Sequence, residues 1–290
     1  MMFASQFPAQ TTISRLRNHP APDGQDLAWP DVLVQSRYRA IEKSVPESSF
    51  ALFTLQSPGE ATLRVDGKTL KICHQTLCLI NPYQSFEYRI EAKEAVEVQN
   101  LHLSLHTYQQ LMSLMAPNQD RLLESPHESM ETPEWSHHLY YMESPLRDQL
   151  NRYRQLNPED FLVGIGALLQ DLYRENEHSS RRIPSQKRST QRELARRVAI
   201  GRDLIFSQYH DPRLTLDRIC AEVFMSKFHF IRVFKQAYGL TPHQLIRHIR
   251  IIKAQEYLKA GHMTLEHIAY KVGLQEPNSL YPLLRTAGVN

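Results

Sequence analysis

The sequence of 290 residues predicts an α+β chain of two domains. An N-terminal antiparallel β-barrel or sandwich with helices behind it is followed by an all-α domain carrying two helix-turn-helix units. Three observations predict this. Short β-prone runs separated by turn signals occupy residues 50–105, an apolar stripe at helical spacing follows them, and a block near the C-terminus occurs twice, 49 residues apart. Charge divides the chain in the same way. Residues 1–176 hold 15 Lys and Arg against 22 Asp and Glu, and residues 177–290 hold 19 against 9, so a net −7 half precedes a net +10 half. A basic half beside an acidic one suits one half to a polyanion and the other to something else.

The N-terminal elements follow in order. Phe50 to Leu55, Ala61 to Val65 and Thr69 to Ile72 are strands, with Asp66-Gly67 as the hairpin turn between the last two. Thr76 to Ile80, Phe86 to Ile90 and Val96 to Leu105 continue the series, the last with a slip of its alternation near Gln99. From Tyr108 the pattern is helical. Phe161, Ile165, Leu168, Leu169 and Leu172 stripe one face of a helix from about Glu159 to Asn176, which packs on the strands, on a second subunit, or on both. The polar stretch 177–191, with Pro184, reads as a linker between a domain over 1–176 and a domain over 192–290.

Several function classes are excluded. Cys73, Cys78 and Cys220 make neither a disulfide framework nor a tetrahedral metal set, which points to a reducing compartment. No signal peptide opens the chain and no run of 18 apolar residues occurs, so no membrane partner is expected. No phosphate loop, nucleophile elbow or paired-acid motif is present. His102 and His106 would share one face of a strand, with His74 on a neighbouring segment, but no carboxylate stands at ligand spacing. The pair His137-His138 beside Trp135 reads as surface. The expectation is therefore no enzyme, no metal and no cofactor.

The repeat is the most informative feature. Thr215-Leu216-Asp217-x-Ile219-Cys220-x-x-Val223 recurs as Thr264-Leu265-Glu266-x-Ile268-Ala269-x-x-Val272, and Phe230, Phe234 and Lys235 recur as Leu280, Leu284 and Arg285 after one inserted residue. Each copy reads as helix, tight turn, helix. Thr215 caps the first helix with Asp217 in its positive first turn, the turn lies at Phe224-Met225, and Ser226 caps the second. On that second helix Phe230, Val233, Phe234 and Ala237 form a buried stripe, while Phe228, Ile231, Arg232 and Lys235 form another face. Arg can bridge guanine O6 and N7, Phe and Ile can meet thymine methyls, and Lys can hold a phosphate. A wide helical core and a solvated basic face would account for the same residues without DNA. Between the copies, Thr241-Pro242-His243-Gln244 opens a capped helix that Gly261 closes. Its 19 or so residues make a rod of about 28 Å, near the roughly 34 Å between successive major-groove segments on one face of B-DNA.

On these residues the chain resembles the AraC/XylS family of bacterial transcription regulators. Residues 202–285 are similar to the family's DNA-binding domain, and the run MSKFHFIRVFKQAYGLTPHQLIRHIRIIKAQEYL, Met225 to Leu258, follows its pattern nearly position by position. The resemblance implies seven helices and base contacts at Phe228, Ile231 and Arg232. The implied DNA-binding set is completed by Ser226, Lys227, Lys235 and Arg250, and in the second copy by Asn278, Tyr281 and Arg285. Less specifically, Phe50 to Leu105 resembles the cupin-like effector barrel that precedes this domain in many members, followed by dimerisation helices. A regulator, read as an activator, is thus implied: a homodimer on double-stranded promoter DNA in the bacterial cytoplasm, at the nucleoid. Its implied partners are a small-molecule or protein effector and RNA polymerase.

The second copy departs from the pattern. Pro282 stands where the first has Arg232, and inside a helix Pro costs about 3 kcal/mol. The chain ends at Asn290, where the family continues through a Gly-x-x-Pro turn into a last helix. Two readings follow: DNA read mainly through the first copy, or a degenerate regulator that acts as a protein-interaction antagonist without productive DNA binding.

Overall fold

In the computed structural model, which describes residues 1–18, 27–115, 135, 138–142 and 157–285, contacts divide the chain into Met1–Glu175 and Asn176–Asn290. The N-terminal unit is organised by one long strand. Strands β4 (Val32–Val45), β5 (Phe50–Leu55), β6 (Glu60–Val65), β7 (Lys68–Cys73), β8 (Thr76–Ile80) and β9 (Phe86–Leu103) are joined by the short β1 (Met2–Ala4) and β10 (Leu139–Tyr141) in one sheet. After a short helix α1 (Gln10–Ile13), a separate two-stranded pairing joins β2 (Leu16–Arg17) to β3 (Leu27–Ala28). The expected hairpin forms where Asp66 and Gly67 both take positive φ, at 47° and 81°, the pairing that suits the twist of the flanking strands.

The sheet is not a barrel, and the expectation of a closed, cupin-like barrel is corrected here. Among the described residues its order is β1-β4-β9-β5-β8-β10, and neither end strand pairs with the other. Instead β9 is shared along its length. Its C-terminal part, Val98–Leu103, pairs with β5, its first residues, Phe86–Arg89, pair with β6, and β4 lies along both parts. The ladder forks rather than returning on itself. Helices take the place of a closing wall: Tyr108 and Met112 of α2 (Leu105–Met115) and the stripe Phe161, Ile165, Leu168, Leu169 and Leu172 of α3 (Pro158–Arg181) pack on Leu33, Phe50, Leu52, Leu79, Leu101 and Leu103.

Two further expectations change. Strand β9 is continuous, and its register against β4 is unbroken from Val96 to His102, so no slip occurs at Gln99; the apparent one arises because both faces are covered there. The irregularity lies between Tyr38 and Ala40, where β4 skips the residues between Glu91 and Val96. Leu105 and His106 belong to α2, so His106 shares no strand face with His102. Trp135 is buried, and the His138 ring meets the Leu79 carbonyl at 2.9 Å; His137 lies outside the described residues.

His102 itself is wholly enclosed. Its ring stacks on Trp29 and meets Phe7 and Phe53 edge-on, and neither ring nitrogen has a hydrogen-bond partner. Burial lowers its pKa to about 4, because no neighbouring group solvates the charged form.

The C-terminal unit is helical. The end of α3 and the start of α4 (Arg188–Gln208) enter the polar stretch 177–191, leaving 182–187 between the two helices. Then come α5 (Leu216–Glu222), α6 (Lys227–Tyr238), α7 (Pro242–Ala260), α8 (Leu265–Lys271), a 3-10 turn (Pro277–Ser279) and α9 (Leu280–Arg285). Phe230, Val233, Phe234 and Ala237 of α6 are buried, and Gly201 of α4 leaves room for the Phe230 ring, since a Cβ there would stand 2.6 Å from it. Ile268, Ala269, Val272, Leu280, Leu283 and Leu284 form a second core around Ala254 of α7.

Candidate nucleic-acid interface

The two repeats fold into two like units, and their caps explain why. Thr215 accepts a hydrogen bond from the Arg218 N–H, and Thr264 does the same for His267, so each opening helix starts at its threonine. Each of these helices, α5 and α8, is seven residues long. Both then end in the same Schellman turn. The Met225 N–H donates to Cys220 O and the Phe224 N–H to Ala221 O; in the second unit Leu274 donates to Ala269 and Gly273 to Tyr270. The residue at the left-handed position is Phe224 in one unit, with φ 51°, and Gly273 in the other, with φ 84°.

The second helix of the first unit, α6, presents the face expected to read bases. Phe228 is 89% exposed, Arg232 and Lys235 are exposed, and Ile231 is half-buried at the border of the core stripe. Lys227 at the head of α6 is drawn to Asp217 of α5, with Nζ 2.6 Å from Oδ1. Ser226 occupies the N-cap with extended backbone but makes no side-chain capping bond, which corrects the capping role expected of it. Gly239 takes φ 78° and ends the helix.

The connecting helix α7 carries the complete capping box, Thr241 and Gln244 bonding reciprocally, with Pro242 in its first turn and Gly261 left-handed at its end. Arg250 lies half-buried on α7 and donates from Nε to the Tyr209 carbonyl at 2.9 Å. This bond ties α7 to the end of α4. Burial lowers the Arg250 pKa from its ordinary value.

In the second unit Asn278 is exposed in the 3-10 turn, and Tyr281 and Arg285 are exposed on α9. Pro282 is the third residue of α9, within the first turn, where the backbone N–H groups have no helical acceptor. The cost of a proline inside a helix is thereby avoided. Instead the helix is short, and a 3-10 turn stands where the first unit has regular helix.

One residue of this surface was missed from sequence. Phe224 is 82% exposed, and its carbonyl accepts a 2.8 Å bond from Arg197 of α4, which is itself held by Glu193 at 2.7 Å. The paired Arg196 and Arg197 guanidiniums bring the Glu193 carboxyl down to about 2. The contact spans 27 residues, so nothing local announces it. Only the repeat, which sets Phe224 against Gly273, carries a signal.

Among the described residues no group of three or more His, Cys, Asp or Glu is placed to hold a metal ion, and no helix is long and apolar enough to cross a membrane. The C-terminal helices carry helix-turn-helix units, and residues 219–287 match the family model of the helix-turn-helix domain. No curated protein sequence matches the chain. Similar solved structures include ToxT from Vibrio cholerae O395, at 14% identity over 88% of this chain and 93% of that one, with a TM-score of 0.32. The C-terminal domain of AraT, a response regulator from Geobacillus stearothermophilus, is 26% identical over 32% of this chain and 78% of its own, with a TM-score of 0.32. The DNA-binding domain of AdpA, solved with a target DNA, is 22% identical over 31% and 79%, with a TM-score of 0.29.

Proposed function

We propose that the chain is a sequence-specific DNA-binding transcription regulator of the AraC/XylS type, without enzymatic activity, and that its first unit does most of the reading. The observation that carries this is the two-sided α6. One stripe fills the core, and the other sets Phe228, Arg232 and Lys235 in solvent within a half-chain of net charge +10. In this reading α6 enters the major groove. Arg232 takes a guanine edge, Phe228 and Ile231 meet apolar base surface, and Lys235, Lys227 and Ser226 hold phosphates. Asn278, Tyr281 and Arg285 add weaker contacts from the second unit, and Arg250 acts by fixing α7.

The domain over 1–176 then serves effector sensing and dimerisation, 177–191 serves as the connection, and 192–290 serves DNA binding. The partners are double-stranded promoter DNA, a second copy of the chain, a small-molecule or protein effector and, for an activator, RNA polymerase, in the bacterial cytoplasm at the nucleoid.

The test is quantitative binding of the full chain to its upstream intergenic DNA and to a scrambled duplex at two salt concentrations. The expected result is preference for the upstream DNA, with affinity for both falling steeply as salt rises. Equal affinity for the two duplexes would overturn the proposal.

A further inference from the structure

Two phenylalanines flank the start of α6 in solvent, and one of them occupies a place that disfavours it. Phe224 is the left-handed residue of the turn after α5, with φ 51°. A bulky L-residue there crowds its own carbonyl, a strain that glycine does not bear. The second unit makes the same turn with the same hydrogen bonds and uses Gly273. The strain at Phe224 is not repaid by burial, since the side chain is 82% exposed. Four residues on, Phe228 is 89% exposed.

Around them cations lie on the α6 side, while Glu222 is exposed before the turn and Asp217 pairs with Lys227. Lys227, Arg232 and Lys235 lie within the next eleven positions of the sequence, and Arg197 holds the Phe224 carbonyl. An apolar pair beside exposed Arg232 and Lys235 is poorly matched to another protein's apolar patch, because docking there would take those two charges out of water. It is matched to a polyanion that itself displays apolar groups. In the major groove the exposed apolar group is the thymine 5-methyl.

From this we infer that Phe224 is a base-reading residue outside the reading helix, and that Phe224 and Phe228 together select thymine methyl groups at neighbouring positions of the target site. The inference rests on the DNA-binding reading above. Arg197 is the positioning residue, since its bond to the turn carbonyl fixes where the Phe224 ring emerges.

The experiment uses the full chain. A duplex is selected from a random-sequence pool by the wild type, and its affinity is measured with thymines replaced one at a time by deoxyuracil, which deletes only the methyl. Phe224→Gly and Phe224→Asn, both compatible with the left-handed backbone, are measured alongside with their melting temperatures. Phe224→Gly is expected to weaken the selected duplex about tenfold, in line with losing the burial of one aromatic side chain, while leaving random duplex unchanged. Its melting temperature stays the same or rises. One deoxyuracil substitution is expected to weaken the wild type several-fold and to have no effect on Phe224→Gly. Unchanged affinity in both variants, or affinity and melting temperature falling together, would overturn the inference. A deoxyuracil penalty equal in wild type and variants would overturn it too. Failure of the wild type to select any sequence would remove the DNA-binding reading itself, a distinct result.

Discussion

The two helix-turn-helix units share a plan and differ in what they present to solvent. Both open on a threonine cap, both close their first helix with a Schellman turn, and both bury an i, i+3, i+4 stripe, Phe230, Val233 and Phe234 in one and Leu280, Leu283 and Leu284 in the other. In the first unit the turn carries an exposed phenylalanine and the following helix has 12 residues; in the second the turn is glycine and the following helix has six. The glycine is required twice over. A Cβ at Gly273 would stand 2.7 Å from the Tyr209 carbonyl oxygen, and the φ of 84° disfavours any side chain. A backbone plan can thus be kept while one copy uses the turn for packing and the other for display.

The largest test of this contrast is Gly273→Ala. It should destabilise the helical region by about 3 kcal/mol, through left-handed strain and the clash with backbone, where Phe224→Gly destabilises nothing. Thermal melts of the two variants compare them directly. A mild outcome for Gly273→Ala would mean the second turn has the freedom of the first.

Acid allows that melting to be seen by itself. His102, whose pKa is lowered to about 4, is neutral in the fold, while the unfolded chain takes up the proton near 6.5. The stability it contributes is therefore lost as the pH falls from 6.5 to about 4, a loss of about 2 kcal/mol at pH 5 for the N-terminal unit. In the helical region Glu193 and Asp211, each lowered to about 2, favour the fold above the ordinary carboxylate range and lose that contribution only as the pH falls below about 4 toward 2. Melting followed by circular dichroism at pH 7 and pH 5 should show the sheet domain weakening first. His102→Phe should abolish the difference.

Next in size, Arg232→Ala should cost about tenfold in preference for the selected duplex over random DNA, and Pro282→Ala at the matching position of the second unit should leave that preference intact. Fluorescence anisotropy reads both; equal losses would make the second unit an equal reader. The shared caps come next. Thr215→Ala and Thr264→Ala should each destabilise by about 1 kcal/mol in urea titrations. The smallest effect belongs to Lys235→Ala, which should weaken all duplexes alike and lower the slope of log affinity against log salt by about one.

Much of this was legible where the signal is local. Asp66-Gly67 marked a hairpin, the stripe from Phe161 to Leu172 marked a helix, and the repeat with its caps marked both units. That the sheet stays open and forks at β9 was not legible, because closure depends on which strand edges meet, and those contacts are non-local. Strand β4 escaped notice because its alternation of half-buried and exposed residues changes phase at Arg39–Ala40 and sets polar residues such as Lys43 on the less exposed side, so the period of two is faint in the sequence. Arg250 belongs to the set that the family resemblance implies; its bond to the Tyr209 carbonyl, 41 residues away, leaves no trace in the sequence. Pro282 was expected to break a helix, and the actual start of α9 only two residues before it makes the proline harmless.

The capped, uninterrupted α7 has a consequence for the spacing of any two-part target. A helix of 19 residues fixes distance and rotational phase together, since each residue adds about 1.5 Å and about 100°. One inserted residue would turn the second unit a quarter-turn or more away from the first. Seven inserted residues would nearly restore the phase and lengthen the rod by about 10 Å, the rise of about three base pairs. The separation of the two halves of a target is in this sense written in the number of residues between Thr241 and Gly261, and a change of that number is a change of address.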